Sequence, residues 1–213
     1  LSLGIGLRAG LGAVGILAQY VGMVSLVAAG ALILPYGLVA LMRGRDLARF
    51  ASAAAPVQVL AFSTQSSVAC LPPMIERSRD VMGASAQVTG VVLPLAVAVF
   101  RMTSPVANLA VAFFIAHLYG LEPTFGQIAA AIAVALAVSV GTVGLPGQIS
   151  FFASMAPICI ALGVPIDILA ILIAVEVIPD IFRTVGNVTA DMAVAAVLRD
   201  EEAPHASPAG AHA

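Results

Sequence analysis

From Glu176 to Asp191 the chain reads E-V-I-P-D-I-F-R-T-V-G-N-V-T-A-D, which sets a series of polar or charged side chains into a largely apolar segment. At roughly 100° per residue, Glu176, Asp180, Arg183, Thr184, Asn187 and Asp191 fall within about a third of a helix's circumference. A helix with one wet stripe and an apolar remainder has to turn that stripe away from lipid. Ionisable groups inside a membrane span are costly enough that they face a bundle interior or a water-filled path, where they handle substrate or ions.

Composition identifies the solvent. Of 213 residues, 61% are hydrophobic and 9% are charged, with a mean hydropathy of +1.09, whereas a soluble domain carries about a quarter charged residues. The chain therefore reads as an integral membrane protein partnered by the lipid bilayer. Every basic residue is an Arg, placed singly or in small groups, and the net charge is −2. With no basic patch, nucleic acid is excluded as a partner. Cys70 and Cys159 lie in apolar stretches without companions at metal-ligand spacing, so they read as packing residues, and no cofactor is expected.

In chain order, residues 1–10 look like the end of a truncated membrane helix and 11–44 like a long membrane helix, exceeding the roughly 20 residues a bilayer needs. Arg43, Arg45 and Arg49 then mark the cytoplasmic side. Residues 45–80 place an apolar arm, the polar S-T-Q-S-S of Ser63 to Ser67, and a second arm in sequence. Neither arm is long enough to cross, and the polar centre cannot face lipid, so a re-entrant hairpin is expected, entering and leaving beside Arg77 and Arg79. Residues 81–120 form a membrane helix broken at F-R-M-T-S-P by Pro105, with Arg101 at the break. Residues 121–163 repeat the hairpin around the tip G-T-V-G-L-P-G, and 164–198 form the polar-striped helix. Residues 199–213 are small, polar and Pro-containing, the composition of a disordered tail.

The expected fold is an all-α membrane protein, a helical bundle with two re-entrant hairpins and broken helices. Two interrupted apolar segments at matching positions of two halves point to a transporter's binding site. The hairpins are expected to enter from opposite sides and meet near mid-membrane.

The tip S-T-Q-S-S-V-A-C-L-P, the tip G-T-V-G-L-P-G and the helix D-I-F-R-T-V-G-N-V-T-A-D, in this order and spacing, resemble the dicarboxylate/amino acid:cation symporters, the glutamate transporter family. The resemblance covers about residues 11 to 198 and implies the transport core of that fold, its C-terminal portion. It further implies a symporter that moves an acidic amino acid or C4-dicarboxylate with Na⁺ or H⁺ by an elevator mechanism, the hairpins serving as gates. Homotrimers in the bacterial inner membrane, with the C-terminus cytoplasmic, are implied for the full-length protein. Carried over residue by residue, Arg183 matches the anchor of the substrate's side-chain carboxylate, for which a planar guanidinium is suited. Asp180 matches the group that binds the α-amino nitrogen. Thr184, Asn187, Ser104, the hairpin serines Ser66 and Ser67, and Leu145 and Gly147 of the second tip match substrate-contacting positions. Asp191 and Asn187 match part of a Na⁺ site.

One stretch departs from the family. Where it has N-M-D-G-T in the broken helix, this chain has F-R-M-T-S, so Phe100, Arg101 and Met102 replace the Asn, Met and Asp. Two oxygen ligands of the kind hard cations prefer are lost. Arg101 is read as a tethered positive charge paired with Asp191 or Asp180, and Glu176, Asp180 and Asp191 as candidate groups for proton coupling. The competing readings are an anion-conducting channel of the same fold and a non-transporting fragment. An enzyme is not expected: Asp180 and Asp191 stand three turns apart, about 16 Å, too far to share a proton.

Overall fold

Prolines decide where the helices stop. The computed structural model describes residues 2–141 and 147–198, with side chains at 12–140 and 150–198. Helix α1 spans Ser2–Ala31 and α2 spans Ile33–Arg43. At their junction Leu32 donates back only three residues, to Ala29, because Pro35 has no N–H to continue the ladder to Ala31. Helix α1 passes Gly10 without a break, so no boundary falls there; a single glycine costs a helix only about 1 kcal/mol. Tyr20, Val24, Ala28, Ala31, Pro35 and Val39 are buried at intervals of three or four residues. The opposite face carries Leu26, Ile33 and Leu41, 74%, 71% and 86% exposed, an apolar surface suited to lipid.

The first hairpin consists of α3 (Leu47–Thr64) and α4 (Leu71–Asp80). Its arms are unequal, 18 and 10 residues, or about 27 and 15 Å of helix. Pro56 lies inside α3 and cannot donate to the carbonyl of Ser52. Arg77, near the end of α4, fills the gap by donating to that oxygen at 2.8 Å, which ties the two arms together.

A single π turn, Val88–Val92, runs into α5 (Leu93–Val99). The extra residue lets Leu93 donate to Val88 just before Pro94, which cannot donate at all. The chain leaves the helix at Phe100 (φ −94°, ψ 89°) and restarts as α6 (Thr103–Leu118). Pro105 falls in the first turn of α6, where a missing N–H has no partner to lose.

The second hairpin, α7 (Phe125–Gly141) and α8 (Gly147–Leu162), packs on α6. Gly163 closes its base at φ +81°, where a Cβ would lie 2.4 Å from Gln127 Nε2. The tip residues 142–146, including Leu145, and the tail 199–213 lie outside the described residues. A short helix α9 (Leu169–Leu172) and tight three-residue turns lead to α10 (Val177–Leu198). The polar-striped helix therefore begins at Val177 and not near residue 164, and Glu176 stands just ahead of it. Pro179 accounts for the late start, since only a first-turn proline needs no acceptor.

Helix α10 touches each of α1 to α6 and is buried on nearly every side from Arg183 to Ala196. The bundle has two apolar cores. One joins α1, α6, α7, α8 and α9; the other joins α2 to α5 with the C-terminal half of α10. The polar residues of α10 lie where these cores meet. No strand occurs among the described residues, and the fold is an all-α bundle with three helical runs long and apolar enough to cross a membrane.

A buried polar seam along α10

At the head of α10 one guanidinium holds two carboxylates. Arg183 donates through Nη2 to Glu176 at 2.6 Å and through Nη1 to Asp180 at 2.9 Å. Asp180 and Arg183 lie three apart on one face of α10, and Glu176, just ahead of the helix, continues that face because its carbonyl accepts the Asp180 N–H at 2.9 Å. A third element joins from α1: the hydroxyl of Tyr20 donates to the other oxygen of Glu176. Tyr20 is itself fixed by an edge-on contact with Phe114 of α6, centroids 5.3 Å apart. The side chains of Arg183 and Glu176 are each 7% exposed, whereas Asp180 is 26% exposed. Charges buried this deeply persist only when paired and hydrogen-bonded. The Nε of Arg183 is nevertheless buried without an acceptor among the described residues.

One turn further on, Asn187 serves as the cap of α6. Its Oδ1 accepts from the backbone N–H of Thr103 at 3.0 Å and lies 2.7 Å from the Thr103 hydroxyl, while its Nδ2 donates to Ser104 at 3.1 Å. The start of a helix leaves N–H groups without partners, and here a neighbouring helix satisfies one. The two backbones can approach this closely because residue 186 is glycine; a Cβ there would fall 2.3 Å from Thr103 Cγ2. Asp191, 1% exposed, has an Oδ1 with no partner among the described residues. Arg101, half-buried in the α5–α6 break, forms no ion pair among the described residues, although it lies within the electrostatic reach of Arg183, Asp180 and Asp191. The contact expected between Arg101 and either aspartate is not formed among the described residues.

Of the other residues singled out from sequence, Thr184 is buried beside Arg183 with no hydrogen bond among the described residues. Ser66 and Ser67 are half-buried at the first hairpin's tip, where Ser66 Oγ accepts from the N–H of Ala69. No hydrogen bond joins either serine to α10 among the described residues. Gly147 is the first residue of α8.

A sequence profile described as the Sodium:dicarboxylate symporter family matches residues 4–200. The chain belongs to that family. Among its symporter relatives, it is 31% identical to the proton/sodium-glutamate symport protein of Bacillus subtilis over 189 residues, 89% of this chain and 43% of that protein. It is 33% identical to the proton/glutamate-aspartate symporter of Escherichia coli over 141 residues, 64% of this chain and 32% of that one. The human neutral amino acid transporter A is also 33% identical, over 65% of this chain and 26% of its own length. The chain thus spans less than half the length of these curated relatives. Membership in a symporter family places it among integral membrane transport proteins and not among enzymes.

Two members of the seam were missed in the sequence. Tyr20 is one of three tyrosines in the chain, and a phenol in an apolar span generally needs a polar partner when buried; that signal was available but named no partner. Thr103 follows the break so closely that only its position, and not its residue type, marks it. Gln58 of α3 adds a third, bridging Tyr36 at 3.0 Å and Thr189 at 2.9 Å and so linking hairpin, α2 and α10.

Proposed function

We propose that this chain forms the transport core of a cation-coupled symporter for an acidic amino acid, with C4-dicarboxylates as the nearest competing substrates. The observation that carries this reading is Arg183: a buried guanidinium whose two Nη groups are held by the chain's own carboxylates and whose Nε has no acceptor among the described residues. An incoming carboxylate would displace both internal partners, Glu176 from Nη2 and Asp180 from Nη1, and use donors already in place. Asp180, the more exposed partner, would then be free for an ammonium group, which favours an amino acid over a plain diacid. A neutral amino acid has no second carboxylate to offer, so Arg183 would keep both internal partners.

Asp191 suits a cation, being buried with a free oxygen. Asn187 suits it less well, because its amide is engaged by Thr103 and Ser104. Phe100, Arg101 and Met102 supply no carboxylate or amide at the break. Arg101 would contribute a fixed positive charge facing Asp180 and Asp191, which weakens the case for Na⁺ and strengthens it for H⁺.

An elevator motion is supported by the way α10 is stitched to α6, α1 and the first hairpin, so that the site moves as a block or not at all. Arg43, at the end of α2, donates to the Val197 carbonyl near the end of α10 at 3.2 Å. The C-terminus of α10 therefore lies beside Arg43 of the Arg43–Arg49 cluster, which the positive-inside rule assigns to the cytoplasm of a bacterial inner membrane. Assembly of the full-length protein as a homotrimer remains part of this proposal.

Thermal shifts of the purified full-length protein, with and without Na⁺, test the reading. A ligand that binds the folded state raises its apparent stability, so L-aspartate or L-glutamate should raise Tm more than succinate, and alanine should leave it unchanged. Stabilisation by none of the acidic compounds would refute the proposal.

A further inference from the structure

Resting on that reading, we propose that Glu176, held by the Tyr20 hydroxyl, is the proton-carrying group of this protein: it surrenders Arg183 to the substrate and accepts a proton from solution in exchange. Glu176 has two donors, Arg183 Nη2 on one oxygen and Tyr20 on the other. Once a substrate carboxylate takes Nη2, one oxygen of a carboxylate only 7% exposed loses its donor and its counter-charge. Leaving a buried charge unpaired is strongly destabilising. A proton on that oxygen removes the charge, and no covalent bond other than O–H forms or breaks. Tyr20 suits both states, because its hydroxyl can go on donating to the second oxygen whether the carboxyl group is ionised or protonated.

The surrounding charges single out Glu176. The groups bonded around it are Tyr20 of α1 and Arg183 and, through Arg183, Asp180 of α10; Cys159 of α8 lies within electrostatic reach of the phenol, and Arg101 of the α5–α6 break within that of Arg183. Asp180 also loses a partner when substrate enters, but at 26% exposure water can solvate it. Asp191 forms no ion pair or hydrogen bond with Arg183 among the described residues, so it does not depend on the guanidinium for a partner. Among the described residues, only Glu176 is both deeply buried and dependent on the guanidinium the substrate would claim. Proton and substrate then occupy the core together and leave together, which is symport.

The test is calorimetry of L-aspartate binding to the full-length protein without Na⁺, in buffers of different ionisation enthalpy. The wild type should take up about one proton per substrate, with affinity falling about tenfold per pH unit across the coupled window. Glu176→Gln should bind without proton uptake and with a flat pH profile. Tyr20→Phe should keep proton uptake but move the window. Uptake that persists in Glu176→Gln, or binding by the wild type without protons, overturns the proposal and leaves the transporter reading standing. If Glu176→Gln does not fold, an unmoved window in Tyr20→Phe overturns it instead. A wild type that binds neither L-aspartate, L-glutamate nor succinate brings down the transporter reading itself.

Discussion

Gly186 of α10 and Thr103 of α6 are in such close contact that a single added carbon on the glycine would lie 2.3 Å from the threonine's Cγ2. Thr103 cannot simply rotate away, since its hydroxyl lies 2.7 Å from both the Arg183 carbonyl and Asn187 Oδ1. Gly186→Ala should therefore push α6 off α10, at the cost of about 1–3 kcal/mol typical of overpacking. The measurement is a thermal melt in detergent. Adding Thr103→Ser, which removes the clashing methyl, should recover part of the loss, and no recovery would place the strain elsewhere.

The contact between Arg77 and Ser52 predicts a coupling across the first hairpin. Arg77 matters because Pro56 leaves the Ser52 carbonyl without a helical donor. At this exposed site Arg77→Met should destabilise the hairpin by about 1 kcal/mol. In a Pro56→Ala background the helix supplies its own donor, and the same change should cost less. Proteolysis rates at the hairpin, measured as a double-mutant cycle, would show additivity if the two residues were unrelated.

At the first hairpin's tip Gln65 adopts φ 52° and ψ 32°, the sole non-glycine residue with positive φ among the described residues. A side chain in this region costs about 1 kcal/mol relative to glycine. Gln65→Gly should raise Tm, and Gln65→Val should lower it. Equal melting temperatures for all three would mean that the tip does not hold this conformation in solution.

Much of this architecture was legible because proline and charge are blunt signals in an apolar chain. Pro105 beside Arg101 marked a break, and α5 ends at Val99 and α6 restarts at Thr103. The stripe from Asp180 to Asp191 could be read as one helical face from spacing alone. Glu176 fitted the same spacing yet stands ahead of the helix, because periodicity does not register where Pro179 lets a helix begin. What spacing could not supply was partnership between distant segments. Tyr20 and Glu176 are 156 positions apart, and nothing local in either stretch encodes the other. Likewise Asn187 could be assigned to a ligand by resemblance, but its use as the cap of α6 depends on how closely Gly186 lets the two helices approach.

Replacing Arg183 separates its structural from its binding role. Arg183→Lys retains a charge but not the fork that serves Glu176 and Asp180 through different nitrogens, and a point charge does not reproduce bidentate recognition. Binding of L-aspartate should weaken about a hundredfold, equivalent to ~2.8 kcal/mol, while the protein stays folded. Arg183→Met goes further, leaving Glu176 buried without a counter-charge, a loss of about 3–5 kcal/mol when one partner of a buried pair is removed. Adding Glu176→Gln removes the stranded charge, so the double variant should melt well above Arg183→Met alone. Asp180 needs no such correction because it reaches water. The double variant should nevertheless show no thermal shift with any acidic ligand. If it binds L-aspartate as the wild type does, Arg183 is a structural counter-ion, and the anion site must be sought elsewhere along the seam.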